Sequence, residues 1–487
     1  MGKRLLASFL AAAMMLTMAP FAFAAENSIV EASGEELQAK INNAADGQTI
    51  KLTGNTTVDI TIPAGKNIVL DLDNHTLTNT NAGKATLTVE NGATATVQNG
   101  SIVGGTGHYN IAVGTTDARG GTLTLNNVTA TAGNTGSSMI DNWGTLTINS
   151  GTYTGGLDVV KSEEGSKLTI NGGAFTLNYG TYGITGVILN YGDATITGGE
   201  FKQASSGTGA RVVVTGVVEG YTAITRISGG TFTNTKSTGN ILHPLGKATS
   251  DNFEVTGGNY NKKLPSYYCP EKVFEYDSAT KTYHIGGKAV AVASYYNYAT
   301  VADAIKNVGK NGTVKLLDDV SEDISVPANK KFKLDLNGHT LTNASGHTIT
   351  VAAKGTLTIQ GEGTVDNVTH GKAAIVNNGT VTLNGGTYTR SKENPENNKD
   401  DGGGNSYYTI LNDKGGNMTI NSGVTVTNTG HFSSMIRNGG EEKSVLTING
   451  GTFSGGINTI KNDELGELTI NGGNFSNTSQ YVVMNWN

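Results

Sequence analysis

One short phrase recurs along this chain and limits what it can become. It reads LTINSGTY from Leu146, LTINGGAF from Leu168, ATITGGEF from Ala194, TRISGGTF from Thr225 and FEVTGGNY from Phe253. It returns as VTLNGGTY from Val381, MTINSGVT from Met418, LTINGGTF from Leu446 and LTINGGNF from Leu468. In Leu168-Thr169-Ile170 the apolar residues share one face and Thr takes the other, the period of a strand buried on one side. Asn171-Gly172-Gly173 then supplies residues that tolerate positive φ, as a sharp corner requires. Phe175 turns back inward after the corner. The aromatics Tyr153, Phe175, Phe201, Phe232 and Tyr260 are unevenly spaced. A fixed strand–corner–strand unit with variable spacing predicts stacked coils whose loops differ outside a constant core.

Stacking implies columns: Leu and Ile over one another, aromatics over one another, and a partial amide ladder. The ladder would use Asn149, Asn171, Asn384, Asn421, Asn449 and Asn471, interrupted at Thr197, Ser228 and Thr256. Composition agrees. Gly is 68 of 487 residues, Pro only 7, and charged residues 15%. Recurrent Ile, Val and Thr in alternation exclude a disordered chain.

Met1-Gly2-Lys3-Arg4, an apolar run from Leu5 and a closing Ala22-Phe23-Ala24 predict a signal peptide over 1–24 and an exported, secreted or cell-surface protein. Nothing in the chain after that leader predicts membrane insertion. Cys269 is the one cysteine, so an intrachain disulfide is excluded. The formal net charge of −6 gives no electrostatic reason to seek nucleic acid or anionic lipid.

A coarser duplication overlies the fine repeat. LDLDNHTLTN begins at Leu70 and LDLNGHTLTN at Leu334. Each copy follows an amphipathic segment, Gly34–Ala44 and Ala299–Ile305, which predicts a short helix capping an open coil end. The expected layout is a first module over 25–258, a closing and linking segment over 259–290, and a second module over 291–487. The block Met139–Phe175 matches Met435–Phe475, and the second copy ends where the first continues. The expectation is a second module cut short in mid-solenoid, with any anchor beyond Asn487; a naturally short module is the alternative.

The cap exit DGQTIKL, PAGKNIVLDLDNHTLTN and the coils GxLTINGGxF resemble the right-handed parallel β-helix proteins of the pectate-lyase-like superfamily. More narrowly they are similar to secreted, repeat-built, adhesin-like surface proteins of anaerobic gut bacteria. The stretch VTGGNYNKKLPSYYCPEKVFEYDSATKTYHIGGKAVA carries the same resemblance, which covers everything after Ala25. It implies an all-β, right-handed parallel β-helix in two tandem modules. It also implies a surface protein, with polysaccharide or a host or cell-surface glycan as partner; some related β-helices bind polysaccharide with calcium.

The chemistry of the cleaving members is not found. There is no Gly-His-Gly after the leader, the one Arg-x-Lys is Arg390-Ser391-Lys392, and the adjacent Asp pairs are Asp318-Asp319, at a cap exit, and Asp400-Asp401. A divergent polysaccharide lyase or hydrolase is the alternative function, and a stalk without a ligand a third. The repeated turn Asp158–Glu164 and Asn458–Glu464 offers the oxygens Ca²⁺ favours, from Asp158, Glu163, Glu164, Asp463 and Glu464. Tyr179, Tyr182, Tyr191, Tyr407 and Tyr408 are the candidates for stacking on sugar rings. His75 and His339 are expected to lie in or beside the core, on the face of Leu77 and Leu341.

Overall fold

The computed structural model describes residues 29–81, 83–104, 107–133, 136–179, 183–393, 407–430 and 433–486. It is a parallel β-solenoid of about 16 turns. Equivalent residues of successive coils pair in register. Leu146 lies over Leu168, which lies over Ala194, and Ile148, Ile170, Ile196 and Ile227 form a second column. Each coil presents its alternate residues inward, so the columns are fully buried. The backbone hydrogen bonds of each coil are satisfied by the coils on either side.

Sheets and core both divide once along the chain. Up to Lys288 the strands form one 19-stranded and one 8-stranded sheet. From Ala291 onward they form sheets of nine, seven and seven strands. One apolar cluster runs from Ala32 to Phe274 and another from Ala291 to Ile460. Between them the pairing changes sense: Lys272–Asp277 and Thr282–Lys288 form an antiparallel hairpin, and the latter strand also pairs antiparallel with Asn259–Tyr260. Helix α1 (Leu37–Asn43) buries Leu37 and Ile41 against the first strands. Helix α2 (Val301–Asn307) buries Val301, Ala304 and Ile305, with the Thr300 side chain accepting from the Asp303 amide.

The aromatic column forms as the repeat predicts. Tyr153, Phe175, Phe201, Phe232 and Tyr260 stack face to face with centroids 4.8, 4.9, 4.9 and 5.2 Å apart. The second corner glycine makes room for the ring. At Gly173 (φ +107°) a Cβ would stand 3.3 Å from the Phe175 ring. In the second half Tyr388 pairs with Val426 and Val426 with Phe453, so the column is broken. There the position of the second corner glycine holds Val424, which is buried and takes the space a ring would fill.

The exposed Asn ladder also forms, at 2.8 Å per rung through Asn126, Asn149 and Asn171, and through Asn384, Asn421, Asn449 and Asn471. A second, buried ladder escaped the sequence reading. Asn377, Asn412, Asn438, Asn462 and Asn485 bond in series at 2.7, 2.7, 2.8 and 2.9 Å.

His75 and His339 are half-buried at the margin of the core, and His339 Nδ1 lies 3.5 Å from Asp319. Left-handed residues precede each: Asp73 and Asn74 (φ 47° and 65°), Asn337 and Gly338 (φ 49° and 85°).

Candidate functional site

The eight-stranded sheet of the first half carries a continuous outward row. Register places Thr61, Thr88, Ala112, Asp141, Lys161 and Leu189 side by side, each preceded by an inward Ile, Leu or Val. Asp141 is outward yet only 4% exposed, because side chains from neighbouring loops cover it. Trp143 Nε1 donates to Asp141 Oδ2 at 2.9 Å. Asp141 Oδ1 is buried and has no hydrogen-bond partner. Tyr109 and Glu163 lie close enough to Asp141 to perturb its titration.

Cations and rings complete the cluster. The Arg119 guanidinium lies 4.7 Å from the centroid of Trp143 and 5.1 Å from that of Tyr221, and bonds Glu164 at 2.6 Å. Lys161 pairs with Glu163 and lies 6.0 Å from the centroid of Tyr191. Tyr191 lies flat over Gly216, where a Cβ would stand 2.3 Å from the ring. A groove of about 460 Å³ opens beside Asp141 and Trp143, with Tyr109, Thr88 and Lys84 on its walls.

The electrostatics follow from burial. Desolvation raises Asp141 against the opposing pull of Trp143 and Lys161. It pushes Glu163 up to about 7, with the charge of Asp141 adding to the effect. Burial alone would lower Lys161, but its bond to Glu163 and the charges of Glu163 and Asp141 outweigh it and hold the ammonium protonated. The Tyr109 hydroxyl is raised by burial and then by Asp141. Two carboxyls that resist ionisation stand beside one lysine, and one of them, Asp141, lines the groove.

The structure distributes the residues singled out by sequence as follows. Asp158 points between coils, accepting from the Gly186 amide at 2.7 Å and Ser138 Oγ at 3.2 Å. Burial pushes its carboxyl up to about 6. Glu163 faces Lys161 and Glu164 faces Arg119, so the three oxygen donors of that turn do not converge. Asp463 pairs with Arg437 at 2.7 Å and Lys461 at 3.1 Å, while Glu464 is exposed. Among the described residues no three His, Cys, Asp or Glu side chains gather as a metal cluster. Tyr191 joins the row beside Lys161, Tyr179 is exposed, and Tyr182 lies outside the described residues. Tyr407 and Tyr408 meet at 5.5 Å, with Arg437 5.7 Å from the Tyr408 centroid.

Asp141, Trp143, Arg119, Tyr109, Lys161 and Tyr221 were missed by sequence reasoning. The available signal was the duplicated block itself. It holds Asp141 where the second copy holds Arg437, a change of charge inside otherwise matching strands.

No family model matches this chain, and no curated protein does. Among solved structures, the chain described as "Structure of PL6 family alginate lyase AlyGC" aligns over 94% of this chain and 100% of its own. The identity is 9% and the TM-score 0.16. Those values carry no inference about ligand or chemistry.

Proposed function

We propose that this is a secreted or cell-surface, adhesin-like β-solenoid that binds polysaccharide at the groove beside Trp143, Tyr109 and Asp141. The observation that carries the reading is the wall of that groove, where the rings of Tyr109 and Trp143 flank Asp141, itself held by Trp143 Nε1. Rings beside polar wall groups suit a neutral pyranose, whose C–H face packs on an aromatic face while its hydroxyls bond the polar groups around it. The leader over 1–24 supports export. Among the described residues no helix is long and apolar enough to cross a membrane.

The test is native gels cast with a panel of plant and host polysaccharides, followed by an assay for new chain ends. Retardation by at least one neutral polymer, lost in Trp143→Ala and in Asp141→Asn, supports the reading. Failure of every polymer to retard the chain, or retardation unchanged in both variants, sinks it.

A second reading has its own observation. Asp141 and Glu163 are two carboxyls raised by burial beside Lys161, the kind of environment that acid–base chemistry uses. New chain ends that disappear in Glu163→Gln would favour a polysaccharide-cleaving enzyme over a binder.

A further inference from the structure

A second cavity, of about 440 Å³, lies where the first half meets the segment that closes it. Its walls include Asn240, Asn261, Lys262, Lys263, Tyr267 and Tyr296. The volume falls within the range of about 300–1,000 Å³ typical of small-ligand sites. The position is built rather than incidental. Asn297, buried in the next hairpin, donates to the carbonyls of Cys269, Pro270 and Lys272, which ties the closing segment to that hairpin. Tyr296 and Tyr298 are thereby held beneath Lys263, whose Nζ lies 5.1 and 4.6 Å from their centroids.

The charge here is the reverse of the chain's. The whole protein is acidic, at −6, yet no carboxylate lines this cavity. Lys262 Nζ donates to the carbonyls of Lys236 and Gly239, the latter at 2.6 Å. Lys236 Nζ in turn donates to the carbonyls of Ser206 and Gly207. Arg211 bonds the carbonyls of Thr208 and Ala210 at 3.1 Å, and its charge reaches Lys262. Among the described residues none of these four side chains forms an ion pair. Asp303 acts on Lys263 only through space. Burial lowers both Lys262 and Lys263, and Arg211 lowers Lys262 further, so the site strains to hold its own cations. Carbonyl dipoles meet Lys236, Lys262 and the Arg211 Nη1 group without neutralising the charge, and Arg211 Nε is buried without a partner.

We propose that this cavity binds an oxyanion-bearing saccharide, with a sulfate ester or uronate carboxylate between Lys262 and Lys263 and a sugar ring against Tyr267 or Tyr296. The anion supplies the missing counter-charge. Tyr267, at 51% exposed, offers a ring face to a pyranose at the mouth of the cavity. Lysine suits an oxyanion as a point charge and imposes no bidentate geometry, so sulfate and carboxylate are both accommodated. The site is separate from the Trp143 groove and differs from it in the ligand it selects.

The experiment is titration calorimetry of the full chain with three probes: a heparin-derived tetrasaccharide, tetragalacturonate and maltotetraose. At least one anionic probe binds, its affinity falls as salt rises, and Lys262→Gln with Lys263→Gln weakens it about tenfold or more. Trp143→Ala leaves that affinity unchanged, which separates this site from the first. Binding of the heparin fragment alone assigns a sulfate ester, tetragalacturonate alone a uronate, and both a site selecting on charge. Should the double lysine variant melt early, Tyr267→Ala at an exposed position gives a second reading and also weakens binding. The proposal is overturned if neither anionic probe binds, if maltotetraose binds the Trp143→Ala chain as tightly as the anionic probe does, or if the lysine variants that retain the fold bind as the parent does.

Discussion

The two halves of this solenoid put the same strands in the same register and reach opposite electrostatic results. In the first half the outward row brings Tyr109, Asp141, Lys161, Glu163 and Tyr191 together. The second half places Tyr408, Arg437, Lys461, Asp463 and Trp486 at the matching positions. One substitution accounts for most of the difference. With Asp at position 141, two carboxyls compete for one lysine, and both are raised. With Arg at 437, a single Asp463 faces two cations, which lower it despite its burial. The first arrangement leaves two raised carboxyls about one lysine; the second is a closed ion-pair cluster. A repeat fold can therefore duplicate its scaffold faithfully while only one copy keeps an open site.

The core sets the largest difference that mutation should expose. Phe201→Ala removes the middle ring of an unbroken five-ring column, and a cost of about 4 kcal/mol is expected. In the second half, Val426→Ala should cost less, about 2 kcal/mol, because a valine between Tyr388 and Phe453 loses fewer atoms than a ring does. Urea melts read separately through Trp143 and Trp486, the two tryptophans, would check this, with each replaced by Phe in turn. Equal losses would break the distinction between the columns.

The buried ladders come next. Asn412 accepts from Asn377 and donates to Asn438, Gly416 and Val445, so Asn412→Ala strands several buried partners and should cost about 3 kcal/mol. The first half uses a shorter device, with Asn142 bonding Ser162 and Asn190 bonding Thr225. Ser162→Ala there should cost about 1 kcal/mol. Asn171→Ala, in the exposed ladder, should cost less still, since water replaces the lost bonds.

The halves should also differ in pH dependence. Asp158 and Glu163 have folded-state values raised to about 6 and about 7. The stability they contribute is fully present below their unfolded values and is lost as pH rises through those folded values. Between pH 5 and 8 Asp158 alone should cost the first half about 1–2 kcal/mol. Asp463 has the opposite sign: its contribution is present above the unfolded value and lost as pH falls through the lowered folded one. The Trp143 signal should therefore weaken from pH 5 to 8 while the Trp486 signal holds, and Asp158→Asn should flatten the former. A first half with no slope over that range would remove the electrostatic contrast.

The smallest effect is the most diagnostic of the packing argument. Val426→Phe alone should destabilise by about 1 kcal/mol, because Val424 occupies the ring's space. Adding Val424→Gly should recover the loss. Recovery would show that corner glycine and aromatic are one paired choice within each coil.

Much of this was legible in the sequence, and the reason differs by element. The stacked coils, the aromatic column and the exposed amide ladder follow from the repeat because each coil is its neighbour's template. A residue's position within the phrase fixes its position in space. The buried ladder was harder to see, since Asn377, Asn412 and Asn438 fall outside the phrase, in strands of three residues.

The sequence by itself determined the coil, its register and its core, because these depend on local alternation and on identical neighbours. Only the tertiary structure decided which outward residues form a site. Arg119 and Tyr221 come from other coils than Asp141 and Trp143, and their meeting depends on loop paths the repeat leaves free. Their charge states depend on it as well, since burial beneath those loops raises Asp141 and Glu163, and burial is a property of the assembled surface.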